Sequence, residues 1–297
     1  ALIVPHINTV EEVKQLISYG KFAPLGNRGY CASADGGWGK DACYADGMEG
    51  YMRLANERTL LIPQCETMGC LEHLEKIVAF NRKFAGYYNP EMEAYDALLN
   101  EYEEGINMQT LDAFFAQLRS VIVPLIAKIQ NAQQIEDSFL FKHYPVEIQR
   151  KFSDYLMEVL GMDRSHCGIA ETEHPYTTNF NNKDVRITTH YYEDDLASSM
   201  YSVIHEGGHA LYELGADDRY NQTALSGGVS MGLHESQSRF YENIIGRSRA
   251  FVHAIFPKVK ELFQEQLANV DEELFYRAIN KAQPSLIRTE ADELTYA

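Results

Sequence analysis

The chain has 297 residues, of which 45% are hydrophobic and 11% aromatic, which is typical of a folded protein and excludes a disordered chain. Lys and Arg total 26 against 43 Asp and Glu, so the formal net charge is -17. A field of this sign repels phosphate backbones and anionic lipid surfaces. We therefore expect neither a nucleic acid nor a membrane as a partner.

The cysteines and the N-terminal run indicate the compartment. The 5 cysteines form no Cys-x-x-Cys pair and show no regular spacing, which argues against a disulfide framework and favours a reducing environment. The run ALIVPHI lacks a basic stretch and is too short for a signal peptide or a membrane span. These features predict a cytoplasmic protein.

The first part of the chain has the pattern of alternating strands and helices. ALIVPHI predicts a strand, and NTVEEVKQLISYG predicts a helix with Asn8 as N-cap and Glu11 in the capping-box position. A Gly-rich aromatic loop, a helix near 41–57 and a buried strand in TLLIPQ follow. Strands that alternate with helices predict a parallel sheet, of which only two strands are visible here.

Beyond about residue 75, long amphipathic segments predict helices at 71–86, 91–103, 109–133 and 145–160, the last one beginning at Pro145 and ending at Gly161. The third segment contains Pro124, which predicts a kink. Its apolar residues recur at helical spacing, and we expect them to pack in the core: Leu111, Phe114, Phe115, Leu118, Val121, Val123 and Leu125. The exception is DVRITTHYY, residues 184–192, whose alternation predicts one strand.

The segment VIHEGGHALYELG contains two histidines at a spacing of four. It lies in a predicted helix that begins after Asp194 or Asp195 and ends at Gly215 as a left-handed stop. His205 and His209 then share a face and can bind one metal ion, while Glu206 lies beside them and can deprotonate a bound water. H-E-x-x-H is a zinc-protease signature. It is short enough to occur by chance, and the alternative is a hydrogen-bonded pair of surface histidines.

A catalytic zinc site needs a third protein ligand. The metzincin continuation is excluded because its Gly and His are missing from the required positions. Glu213 is excluded because a straight helix cannot bend three successive ligands around one ion. A second helix is predicted in SMGLHESQSRFYENIIGRS, residues 230–248, which carries Glu235 and Glu242. Of these acids we expect Glu235 to complete the site.

Five motifs occur in order along the chain: HPYTTNF, DVRITT, HEGGHALYELG, HESQSR and IRTEADELTY. Together they resemble the carboxypeptidase Taq-type zinc metallocarboxypeptidases. The resemblance implies a mainly α, helical zincin-type metallopeptidase with one short strand region near the active-site helix. It implies His205, His209 and Glu235 as metal ligands and Glu206 as the general base that activates a metal-bound water. It also implies zinc, with cobalt or manganese as substitutes, a peptide substrate cut at its C-terminus, and a homodimer.

Further site residues follow from the same resemblance. An exopeptidase has to bind the substrate's terminal carboxylate, which a guanidinium does with two hydrogen bonds. Arg186 and Arg288 are the candidates, with a structural salt bridge as the alternative for each. His234 is a candidate catalytic residue that donates to the oxyanion, or else it only supports packing. His174 and Tyr176 resemble a pocket-lining motif, although a buried, hydrogen-bonded histidine is the commoner arrangement.

Residues 1–75 resemble a different family. IVPHINTVEEVKQLISYGKFAPLGNRGY and LLIPQCET are similar to the HpcH/HpaI-type metal-dependent 2-keto-acid aldolases, which are β/α barrels. The resemblance implies Glu66 as a metal ligand and Gln64 as a residue lining its site, but the other ligand and catalytic residues of that family have no counterpart. We therefore expect a small partial β/α-barrel fragment, 1–75, fused to a metallocarboxypeptidase domain, 76–297, that is incomplete at its C-terminus. The alternative functions are a 2-keto-acid lyase and an inactive metal-binding fusion.

Overall fold

The structure is a computed structural model that describes residues 2–4, 7–30, 44–63, 68–223 and 225–282. It divides into two compact units, Ala1–Ala94 and Tyr95–Ala297. The elements of the first unit are β1 (Leu2–Val4), α1 (Val10–Gly20), α2 (Gly47–Arg58), β2 (Leu61–Pro63), α3 (Met68–Leu71) and α4 (Leu74–Tyr88). Strands β1 and β2 pair in parallel, as the alternating pattern predicts.

The N-terminus of α1 differs from the prediction by one residue. The N-cap is Thr9, whose hydroxyl accepts a hydrogen bond from the Glu12 N–H at 3.2 Å. The Glu12 carboxylate accepts from the Thr9 N–H at 3.0 Å and so closes the capping box. The prediction of Asn8 and Glu11 is wrong because Asn and Thr both suit an N-cap and adjacent glutamates both suit its partner.

The second unit is mainly helical, with one small sheet. Its helices are α5 (Ala94–Leu99, which begins at the boundary), α6 (Met108–Gln130), α7 (Val146–Val159), α8 (Leu196–Leu214), α9 (Met231–Arg239), α10 (Arg249–Leu262) and α11 (Glu272–Ile279). A π-helical segment, Phe240–Ile245, continues directly from α9. Helix α7 begins after Pro145, and Gly161 beyond its end has a φ of 76°, as predicted for a glycine stop.

The sheet contains β3 (Cys167–Glu171), β4 (Thr177–Asn181) and β5 (Asp184–Thr189) in the order β3-β5-β4. Strand β5 is parallel to β3 and antiparallel to β4. The sequence predicted β5 alone. Its Val185 and Ile187 are fully buried, whereas most residues of the other two strands are exposed and give no alternation that could reveal them.

The core of the second unit surrounds α8. This helix packs against β5, α7 and α9, and its buried apolar side chains join those of α10 and α11. The Asp195 carboxylate caps α8 by accepting from the N–H groups of Ala197 and Ser198 at 2.9 and 3.2 Å. Gly215 closes the helix with a φ of -79°, so the predicted left-handed stop is wrong and the helix simply ends in a right-handed turn.

Helix α6 does not belong to this core. None of its residues, all of which the structure describes, is buried, and Phe114, Phe115, Val121, Val123 and Leu125 are exposed. The prediction that its apolar face packs in the core is therefore wrong, although the helix itself forms, with Pro124 inside it. By length and composition alone α6 is also apolar enough to cross a membrane, which for a single helix is weak evidence.

Candidate metal centre

Helix α8 presents both histidines of the H-E-x-x-H segment on one face. The side chains of His205 and His209 are 18% and 16% exposed, and their ring centroids lie 5.0 Å apart. The spacing of four residues places one ring a turn above the other, as predicted. The rings are thus held at the edge of the core with one side open.

Helix α9 comes close to α8 at a glycine. A Cβ atom added to Gly208 would lie 2.7 Å from the Ser238 Cα and 3.0 Å from the Gln237 carbonyl oxygen, so only glycine allows this approach. The N-terminus of α9 is fixed by Ser230, whose hydroxyl accepts from the Leu233 N–H at 3.0 Å. The close approach brings the preceding turn of α9, which carries Glu235, close to the two imidazoles.

The three predicted ligands converge. The Glu235 Oε2 atom lies 3.7 Å from the His205 Nε2 and 3.5 Å from the His209 Nε2, and one ligand atom from each residue lies within 4.8 Å of the others. In a tetrahedral zinc site with bonds of about 2.0 Å, ligand atoms are separated by about 3.3 Å. Two imidazoles and one glutamate are also a known donor set of catalytic zinc. The residues therefore fit a metal ion with little rearrangement.

The Glu235 carboxylate is held in its charged form. Burial raises its pKa, but a hydrogen bond with His209 and electrostatic interactions with His205 and Arg239 outweigh that effect and lower the pKa to about 2. A carboxylate that stays ionised near neutral pH is ready to bind a cation.

Glu206 is 7% exposed and is oriented from β4. The Thr177 hydroxyl lies 2.6 Å from the Glu206 Oε2 and 3.1 Å from its carbonyl oxygen. Beside them lies an open cavity of about 300 Å³, lined by Pro175, Tyr176, Thr177, Glu206, His209 and His234. Sequence reasoning missed Thr177, although it lies in the HPYTTNF motif next to Tyr176.

His234 lies behind the candidate metal centre and contacts the predicted ligand His209. Its Nδ1 is 2.6 Å from the His209 Nδ1, and its Nε2 is 2.7 Å from the Glu213 Oε1. Glu213 also accepts from the Asn179 side-chain amide at 2.9 Å and from the Gly228 N–H at 3.2 Å. Glu213 is not part of the cluster that His205, His209 and Glu235 form, and it is linked to His209 through His234.

Comparison with known proteins decides the family. The sequence profile of the carboxypeptidase Taq (M32) metallopeptidases matches residues 67–297. The chain belongs to the M32 family. Carboxypeptidase 1 of Bacillus subtilis (strain 168) is 42% identical over 225 residues, which are 75% of this chain and 45% of that protein.

Solved M32 structures agree with the fold. The M32 carboxypeptidase from Deinococcus radiodurans R1 has a TM-score of 0.73 at 43% identity and covers 76% of this chain and 45% of its own. The carboxypeptidase of Pyrococcus furiosus has a TM-score of 0.71 at 40% identity, covering 75% and 45%. This M32 chain therefore spans about half the length of the relatives that it matches.

A weaker and partial relative matches a shorter stretch of the chain. The 2-keto-3-deoxy-L-rhamnonate aldolase of Salmonella newport (strain SL254) is 34% identical over 79 residues, which are 26% of this chain and 27% of that protein. The implied ligand Glu66 and its neighbour Gln64 lie outside the described residues.

The remaining predicted site residues each lie in a different environment. Arg186 donates to the Asp184 carboxylate from Nε at 2.8 Å and from a terminal nitrogen at 2.9 Å, which is the salt bridge that the sequence left open as an alternative. His174 is exposed, so the alternative of a buried histidine does not apply to it. Tyr176 lines the cavity beside Glu206, and Arg288 lies outside the described residues.

Proposed function

We propose that this M32 chain acts as a zinc-dependent carboxypeptidase that removes C-terminal residues from peptides. The observation that carries the proposal is the convergence of His205, His209 and Glu235, with Glu206 beside them at an open cavity. Membership of a metallopeptidase family supports the same reaction. The chain spans 45% of the length of its relative from Bacillus subtilis, so the peptidase activity of this chain is itself proposed.

The mechanism follows from the side chains around the cavity. His205, His209 and Glu235 would hold the ion, and a bound zinc ion supplies Lewis acidity that lowers the pKa of water and polarises the scissile carbonyl. The Thr177 hydroxyl donates a hydrogen bond to the Oε2 atom of Glu206. In our proposal the Oε1 atom therefore takes the proton of the attacking water and returns it to the nitrogen of the leaving amino acid.

The roles of the other residues belong to the same proposal. Tyr176 lines the substrate cavity, and Arg186, Arg288 and His174 remain candidates for binding the substrate. For His234 the sequence leaves donation to the oxyanion and a packing role open, and its contacts with His209 and Glu213 favour the supporting role.

Metal identity, assembly and compartment are further parts of the proposal. Two imidazoles and one carboxylate suit zinc, and cobalt or manganese are possible substitutes. The resemblance to the carboxypeptidase Taq type supports a homodimer, and the cysteine pattern supports a cytoplasmic location. Light scattering of the purified protein would measure the mass of the assembly.

We also propose that the metallopeptidase domain begins near residue 75, with a partial β/α-barrel fragment in front of it. The start of the family match at residue 67 supports this boundary, while the compact units divide at Ala94. We do not extend the proposal to a lyase activity, because the similar stretch corresponds to 27% of the aldolase.

The test is Glu206→Gln, assayed by release of the terminal amino acid from an N-blocked peptide. Removing a general base is expected to lower kcat by at least about 100-fold. The zinc-loaded protein should hold about one ion per chain, and the same peptide with an amidated C-terminus should resist cleavage. Exposed Glu173→Gln serves as the control. Unchanged turnover in Glu206→Gln would show that the base is assigned wrongly.

A further inference from the structure

A second carboxylate lies on the far side of His205 from the proposed ion. The Glu242 Oε2 atom is 2.8 Å from the His205 Nδ1, and the Glu242 side chain is 5% exposed. The Nε2 atom of the same ring is the one that faces Glu235, at 3.7 Å. If Nε2 binds a cation, Nδ1 carries the ring proton and donates a hydrogen bond to the Glu242 carboxylate, which fixes both the tautomer and the ring orientation.

The backbone places Glu242 by a change of helix type. Helix α9 ends at Arg239 and becomes π-helical over Phe240–Ile245, where the Gly246 N–H donates to the Tyr241 carbonyl at 2.7 Å. π-helical turns of this kind are rare and are often found at functional sites. Here the turn lies directly after the ligand-bearing helix and carries a buried acid towards the imidazole.

Arg239 connects this acid to the ligand Glu235. Its Nε donates to the Glu235 Oε1 at 3.2 Å, and a terminal nitrogen donates to the Glu242 Oε2 at 3.0 Å. The Glu235 oxygen that Arg239 contacts is Oε1, and the oxygen that faces the imidazoles is Oε2. One planar guanidinium therefore orients the ligand carboxylate and the buried carboxylate together.

The charge of Glu242 is offset from a second side as well. A terminal nitrogen of Arg247 lies 3.8 Å from the Glu242 Oε1, and the Arg247 guanidinium stacks on the Tyr201 ring at 3.9 Å from its centroid. A buried carboxylate is costly unless it is paired and hydrogen-bonded. Glu242 has two guanidinium groups and one imidazole around it, which is more than packing of a helix requires.

We propose that Glu242 is a positioning residue of the metal centre. It fixes the tautomer of His205 and, through Arg239, holds Glu235 in place for the cation, without touching the substrate or the reacting atoms. The inference rests on the metal site proposed above and adds a determinant of its affinity. Such outer carboxylates typically change metal affinity by about 10- to 100-fold.

The experiment measures zinc affinity of the full chain by competition with a chromophoric chelator. Glu242→Gln keeps the size of the side chain and removes its charge, and we expect its zinc Kd to rise by about 10- to 100-fold. The control is Glu265→Gln, an exposed glutamate outside this network, whose zinc Kd should equal that of the wild type. Free energies of unfolding measured with excess chelator separate an effect on the metal from an effect on the fold.

A spectroscopic measurement reports the proposed hydrogen bond directly. In the zinc-loaded protein labelled with ¹⁵N-histidine, the Nδ1–H proton of His205 should give a downfield signal that moves or vanishes in Glu242→Gln. A role in packing alone would lower the stability of the apo-protein and leave this signal and the zinc Kd unchanged.

The outcomes distinguish this inference from the proposed function. If the wild type binds zinc through His205 and Glu242→Gln has the same Kd within twofold, the inference is overturned and the metal site stands. If the wild type binds no zinc, both are overturned. Should Glu242→Gln fail to fold, Arg239→Lys replaces it. An unchanged zinc Kd in that variant overturns the inference, since a lysine cannot span both carboxylates.

Discussion

Two long apolar helices of the second unit differ completely in their surroundings. Helix α8 buries Met200, Val203, Ile204 and many other residues, whereas α6, although longer and equally apolar, buries none of its described residues. Both were predicted as helices from the same periodic pattern. The pattern therefore identifies a helix and its apolar face, but it does not show what covers that face.

The largest expected effect is on stability, from truncation of a side chain of α8. Ile204 is fully buried in the core cluster, so Ile204→Ala removes packing that the surrounding helices cannot refill. We expect the free energy of unfolding in urea to fall by about 2–5 kcal/mol. A loss below 1 kcal/mol would mean that α8 is not the centre of a packed core.

Metal loading should strengthen the contrast between α8 and α6, because the proposed ligands lie on α8 and α9 and none of them lies on α6. At free zinc of 100 times the Kd, the free energy of unfolding should rise by about 2.7 kcal/mol. Chelator should reverse the rise. Amide hydrogen exchange should slow in α8 and α9 upon loading, and equal slowing in α6 would contradict this localisation.

The packing of α8 on α9 can be tested at one glycine. Gly208→Ala places a Cβ atom 2.7 Å from the backbone of Ser238, so the helices have to separate. We expect a loss of about 1–3 kcal/mol in the free energy of unfolding, together with weaker zinc binding.

The matched control for that variant is Gly86→Ala in α4, where an added Cβ meets nothing within 4 Å. Because alanine favours a helix over glycine by up to about 1 kcal/mol, this control should be neutral or slightly stabilising. Equal losses in the two variants would argue against the close approach.

The smallest effect is expected on α6. Phe114 is 55% exposed, so Phe114→Ala should change the free energy of unfolding by less than about 0.5 kcal/mol. Urea titrations of this variant and of Ile204→Ala under the same conditions compare the two losses in free energy of unfolding directly. A loss of several kcal/mol would show that α6 is covered in solution.

The candidate ligand set could be found from the sequence because short motifs indicate its chemistry. H-E-x-x-H predicts two ligands through helical spacing, and the requirement for a third ligand favours the acids of residues 230–248. In the structure the Glu235 carboxylate lies close to both imidazoles, which agrees with the prediction for this residue. The proposed role of Glu242 could not be predicted, since it depends on a π-helical turn that no sequence motif indicates.

Contacts between elements that are distant in the sequence could not be predicted either. Thr177 and Glu206 meet only because β4 packs against α8, and neither a threonine in a strand nor its neighbours signals a partner 29 positions away. Strands β3 and β4 were missed for a related reason. Their side chains are mostly exposed, so their hydrophobic pattern carries no period.

Glu213 ties several parts of the chain to a single side chain. Asn179 of β4, Gly228 in the segment between α8 and α9, and His234 of α9 each lie within hydrogen-bond distance of its carboxylate. A displacement at Gly228 would thus be transmitted through the Glu213 carboxylate and the His234 ring to His209. The position of Gly228 and the order of the proposed metal site should therefore depend on each other.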